Sequence, residues 1–159
     1  MTGGLPRSPA DALRVAAGYL RRHGWHPGPG LYDPHHGCTH TGCRVVRSGM
    51  YPASVYGAIR AALLGHPSWF AITDPTTSET YAAAVDHLAR HLRTRTVVDL
   101  HAAILPWERA PDRTRQQVIT VLLSAADTAP ATPASAARLA PVIPLGGARR
   151  PGVRPRRIA

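Results

Sequence analysis

The chain contains no lysine, so all 19 of its basic side chains are arginine. Together with abundant alanine and proline, this is the usage that a GC-rich coding sequence produces. Arginine in place of lysine is therefore no argument by itself for bidentate phosphate contacts. Long apolar runs are also missing, and no stretch approaches the ~18 to 20 residues of a membrane span. The opening residues MTGGLPRSPAD lack the hydrophobic centre of a secretory signal. These absences predict a soluble cytoplasmic protein without a membrane partner. Cysteine is scarce, with only Cys38 and Cys43 present. A reducing compartment would keep the two as thiols or metal ligands sooner than as a structural disulfide. Acidic residues stop at Asp127: residues 129–159 hold six arginines and no acid, whereas residues 1–128 hold 13 arginines against nine acids. Most of the net charge of +10 therefore sits in the last fifth of the chain.

At 159 residues and 44% apolar content, the sequence can bury one modest core. Ser8, Pro9 and Asp11 read as an N-cap, a first-turn proline and an acidic third residue. Leu13, Ala16, Ala17 and Leu20 then recur at helical spacing until Gly24. A second helix is predicted from Pro52 to Gly65, with Val55, Ala58, Ile59, Ala62 and Leu63 on one face. Thr76 and Glu79 form a capping-box pattern for a third, whose stripe is Tyr81, Ala84, Val85, Leu88 and Leu92. Thr96 and Asp99 open a short fourth through Leu100, Ala103 and Ile104, which Pro106 is expected to end. Asp112 is read as the cap of a fifth, with Val118, Val121, Leu122 and Ala125 facing inward. The prediction is an all-α fold, a compact bundle of about five short helices over residues 8–128. Residues 1–7 are read as a flexible N-terminus. Residues 129–159, rich in proline and poor in apolar side chains, are read as a disordered tail.

Between the first two helices, residues 24–49 are rich in Pro and Gly and have no sustained period. Short strands are expected at residues 31–32 and 44–46. A loop this long in a small domain needs something to order it, and it holds His35, His36, Cys38, His40 and Cys43. His87 and His91 lie four residues apart on the third helix, so their imidazoles share a face. Cys38, Cys43, His87 and His91 could together supply a tetrahedral zinc site, with His35, His36 or His40 as substitute ligands. The plainer explanation is free thiols and solvated imidazoles with no cofactor, since nine histidines make accidental clusters common.

No nucleophile elbow, phosphate loop or paired-carboxylate pattern marks a catalytic centre. The remaining enzymatic reading uses Cys38 or Cys43 as a thiolate with a histidine base. Arg149, Arg150, Arg154, Arg156 and Arg157 could neutralise phosphates in a sequence-independent, salt-dependent manner. In the helical region, Arg109, Arg113 and Arg115 surround the start of the fifth helix, where an anion or plain solvent would suit them. Trp25, Trp69 and Trp107 each adjoin a helix end and are expected to plug the core.

The segment Gly57–Ala58–Ile59–Arg60–Ala61–Ala62 and the later Ile104-x-x-Trp107, Arg113–Thr114 and Val118 resemble an actinobacterial family of small helical proteins of unknown function. That family often carries a tryptophan after its first helix, as Trp25 does here. The similarity spans about residues 11–127. The chain departs from the family pattern at Ser54, where a cysteine tends to stand, and at Glu108, where an asparagine does. The resemblance implies a helical fold and an actinobacterial source, and it transfers no catalytic residue. The leading reading is a non-enzymatic interaction or regulatory protein, associated with nucleic acid through its basic tail. The rivals are a zinc-stabilised module that docks a protein partner and a thiol-dependent enzyme.

Overall fold

The computed structural model describes residues 5–35, 51–92 and 100–130, with the backbone alone at residues 100–103. Helix α1 (Pro9–His23) starts as its sequence dictates. The Ser8 hydroxyl accepts from Asp11 N at 3.1 Å, Pro9 occupies the first turn, and Gly24 ends the helix at φ 97°. Its last turn carries Arg21, Arg22 and His23, cationic or polar groups suited to the negative end of the helix dipole.

Helix α2 (Val55–Leu64) begins three residues later than Pro52 would place it, with Ser54 as the cap. The backbone of residues 52–54 is committed elsewhere. Ala53 N donates to Gly24 O, Ala53 O accepts from His26 N at 2.9 Å, Pro52 O accepts from Asp33 N, and Ser54 N donates to Leu31 O at 2.9 Å. Those bonds hold the strand-like approach as bridges from Ala53 to Trp25 and to Tyr32. The strand expected at residues 31–32 is thus a single bridge, and residues 44–46 lie outside the described residues.

Helix α3 (Pro75–His91) also differs at its start. Asp74 caps it by accepting from Thr77 N at 2.7 Å, and Pro75 takes the first position, so the Thr76–Glu79 pair lies already inside the helix. Helix α4 (Leu100–Glu108) runs two residues past Pro106 instead of ending there. A proline near the last turn removes only one backbone bond, and the turn is held by Arg109 N donating to Leu105 O at 3.0 Å and by the burial of Glu108. Its expected caps, Thr96 and Asp99, lie outside the described residues. Helix α5 (Arg115–Thr128) is capped by Thr114 and not by Asp112. Thr114 and Gln117 exchange side-chain and backbone hydrogen bonds, which satisfies two donors that Asp112, in the preceding turn, cannot reach.

Among the described residues the architecture is therefore all-α, five helices with no strand beyond the two bridges. α1 is central and packs on α5, α2 and α3, and α4 packs on α3. Leu13, Leu20, Ile59, Leu63, Leu88, Ile104, Ile119 and Leu122 form the fully buried centre, with Ala12, Ala16, Ala17, Ala125 and Ala126 among them. Small side chains there let helices approach closely at low rotamer cost. The exposed Arg14–Asp127 pair at 3.1 Å links α1 to α5 but adds little stability. Among the described residues no helix is long and apolar enough to cross a membrane.

Among the described glycines the tightest approach is at Gly57, where a Cβ would stand 1.8 Å from Leu31 O. Leu31 O in turn accepts from Ser54 N, so it cannot withdraw without breaking the cap region. Gly57→Ala is expected to cost at least about 2 kcal/mol by forcing this crossing apart. Urea unfolding would read it, and a midpoint equal to that of the parent protein would contradict the crossing.

Candidate functional site

Gly24 turns the chain out of α1, and the next residue, Trp25, is carried across the ends of α2 and α4. Its indole Nε1 donates to Glu108 Oε1 at 2.8 Å, and Val55 N donates to the same oxygen at 2.8 Å. Glu108 is only 1% exposed, and its other oxygen, Oε2, is buried without a partner among the described residues. Burial raises the Glu108 carboxyl above its ordinary range, while the bonds from Trp25 and Val55 and the charge of Arg109 pull the other way. The carboxylate faces the first amide of α2, where the helix dipole favours negative charge.

Held in this way, Trp25 lines two clefts. One, of about 400 Å3, lies between Trp25, the Pro27–Pro29 turn, Arg109 and Arg113. The other, of about 430 Å3, lies between Trp25, Arg22, His23, His26 and Arg115, with Asp33 as the acid on its wall. Arg113 is prearranged: its Nε donates to Trp107 O at 3.1 Å, and its guanidinium sits 4.7 Å from the Trp107 ring centre. Arg109 reaches toward Gly28 O at 3.5 Å. Arg22 and Arg115 are exposed and have no ion-pair partner among the described residues. Burial and the neighbouring Arg22 lower the His23 pKa, which favours the neutral imidazole at neutral pH.

The zinc candidates are only partly visible. Cys38, Cys43, His36 and His40 lie outside the described residues, and His35 is exposed, with its backbone N donating to Asp33 Oδ1. His87 and His91 do share a face, and they meet the last turn of α5. His87 Nε2 is 2.8 Å from Ala125 O, and His91 Nδ1 is 3.2 Å from Thr128 Oγ1. Both rings therefore serve polar groups at a helix C-terminus, where terminal carbonyls lack partners of their own. Among the described residues no three His, Cys, Asp or Glu side chains converge as a metal site. Arg149, Arg150, Arg154, Arg156 and Arg157 also lie outside the described residues.

Of the tryptophans, Trp25 and Trp107 pack against the core as expected, but Trp69 is 69% exposed and plugs nothing. The residue that sequence reasoning missed is Glu108, which enters the sequence pattern only as a departure from the family's asparagine. Its signal was a lone acid in the apolar run Ile104–Leu105–Pro106–Trp107, where a charge without a purpose would be costly.

A raised carboxyl pKa means that the native state holds a proton which the unfolded chain releases. Glu108's contribution is complete below the unfolded value of about 4.3 and is lost as pH rises through the folded value. Glu108→Gln keeps the acceptor and removes the titration, so its melting temperature should gain on that of the parent protein from about pH 4 to pH 8. The opposite trend would mean that the ionised form is the favoured one. Glu108→Ala orphans two buried donors and is expected to cost about 3 to 5 kcal/mol in chemical denaturation.

No curated protein and no solved structure matches this chain. A family model does, across residues 5–128. It describes a family of unknown function (DUF6197), and the chain belongs to that family.

Proposed function

We propose that this protein is a non-enzymatic binding module for nucleic acid, engaging phosphates through the two clefts beside Trp25 and through the acid-free residues 129–159. The observation that carries the reading is that Arg22, Arg109, Arg113 and Arg115 line two clefts that share one indole, Trp25. Arginines without ion-pair partners are costly in self-repulsion and are relieved by an anion. Guanidinium forks match phosphate oxygens in pairs. The clefts are lined by prolines, glycines and cations, with Asp33 the one acid on their walls, which suits a backbone contact that does not read sequence. Arg149, Arg150, Arg154, Arg156 and Arg157 would add a second basic element on the same chain.

Binding of this kind releases counterions, so affinity falls steeply between about 50 and 200 mM salt. Fluorescence anisotropy with a labelled oligonucleotide duplex tests it on the full chain. Replacing Arg22, Arg109, Arg113 and Arg115 together by glutamine should weaken binding at least about tenfold and flatten the salt slope by up to about 0.9 per lost phosphate contact. Replacing the five arginines at 149, 150, 154, 156 and 157 should act in the same direction. If both variants bind as tightly as the parent protein with the same slope, the reading fails.

A further inference from the structure

Charge alone does not account for a second feature of the same surface. Trp69 and Phe70 are 69% and 77% exposed, large apolar side chains with no buried role. Their backbone is nonetheless fixed. Arg60 Nε donates to Ser68 O at 2.6 Å, Arg60 Nη2 donates to Phe70 O, and the same guanidinium sits 5.6 Å from the Tyr81 ring. A buried-side arginine is thus spent on presenting two aromatic rings to solvent.

The position of Trp69 joins it to the basic clefts. A Cβ at Gly30 would lie 3.6 Å from Trp69 Cζ2, and the φ of +100° at Gly30 favours glycine there. Gly30 directly follows Pro29, which forms the wall of the Arg109 and Arg113 cleft. On the other side of Gly30, Tyr32 stacks on Tyr51 with ring centres 5.2 Å apart. These two rings, with His66 and Ser68, border a small cleft of about 170 Å3. Two consecutive residues, Pro29 in the wall of the Arg109 and Arg113 cleft and Gly30 against Trp69, thus define a track from the cleft to an open indole.

Arginine and aromatic groups in one track suit a ligand that offers phosphates and bare ring faces together. In a duplex the base faces are stacked on one another and only base edges, sugars and phosphates are accessible, so Trp69 would have no ring face to stack on. We propose, resting on the nucleic-acid reading above, that the preferred ligand is single-stranded nucleic acid, with phosphates on Arg109 and Arg113 and a base stacked on Trp69.

The test compares the full chain with its Trp69→Ala and Trp69→Phe variants. The probes are a fluorescein-labelled oligothymidylate of about 15 nucleotides and a duplex of matched length. Because Trp69 is exposed, unchanged melting of both variants is the control for folding. Trp69→Ala should weaken oligothymidylate binding about tenfold, Trp69→Phe should restore most of it, and the duplex should be held equally by all three. Equal affinity of the parent protein for both probes, with no effect of Trp69→Ala, overturns the single-strand inference and leaves the nucleic-acid reading in place. Binding of neither probe overturns both. Capture of anionic phospholipid vesicles in a Trp69-dependent manner, without oligothymidylate binding, assigns the ring to a membrane surface and overturns the inference.

Discussion

Glu108 Oε1 is the point at which three parts of the chain meet. The end of α4 supplies the carboxylate, the start of α2 supplies Val55 N, and the segment leaving α1 supplies the Trp25 indole. Taking a carboxylate out of water is expensive, and two hydrogen bonds on one oxygen with none on the other offset only part of that cost. The return is geometric. Both donors would lose their partner without this acceptor, so the start of α2 and the end of α4 are tied together through it. Because Trp25 lines both basic clefts, the spacing of the surface arginines follows from a bond made inside the protein.

Around that point the irregular backbone is tied to the approach to α2 through Gly24, His26, Leu31 and Asp33. Residues 24–33 and 52–54 exchange hydrogen bonds in place of helical ones, and Gly57 lets α2 pass almost in contact with Leu31 O. The helices themselves contribute interchangeable apolar faces, largely of alanine and leucine, while the specific pairings lie at their ends. Such a division is common where small helices cannot define their own register by side-chain shape alone.

Helix identity was legible from the apolar period, and α1 was legible down to its caps, since Ser8, Pro9 and Asp11 compete with no better signal. The other starts were displaced by tertiary demands or by a nearer cap. Ala53 is drawn into bridges with Trp25 and Tyr32, Asp74 with Pro75 outranks Thr76, and Thr114 with Gln117 outranks Asp112. Pro106 was overweighted, because the loss of one bond near a helix end is small beside the burial of Glu108. In the site, Arg109, Arg113 and Arg115 were visible as a local group, but Arg22 joins them only through the fold. No local pattern ties Trp25 to Glu108, which lie 83 residues apart. His87 and His91 share a face as helix geometry requires, yet their partners on α5 depend on packing that no period encodes.

The three indoles occupy three unlike settings. Trp25 is hydrogen-bonded to a buried carboxylate, Trp107 lies under the Arg113 guanidinium, and Trp69 stands in solvent. An excited indole reports the polarity and mobility of whatever surrounds it, so the protein carries three optical reporters with distinct emission and distinct access to quenchers. One reads the interior bond at Glu108, one reads a cation on the surface, and one reads the water layer itself.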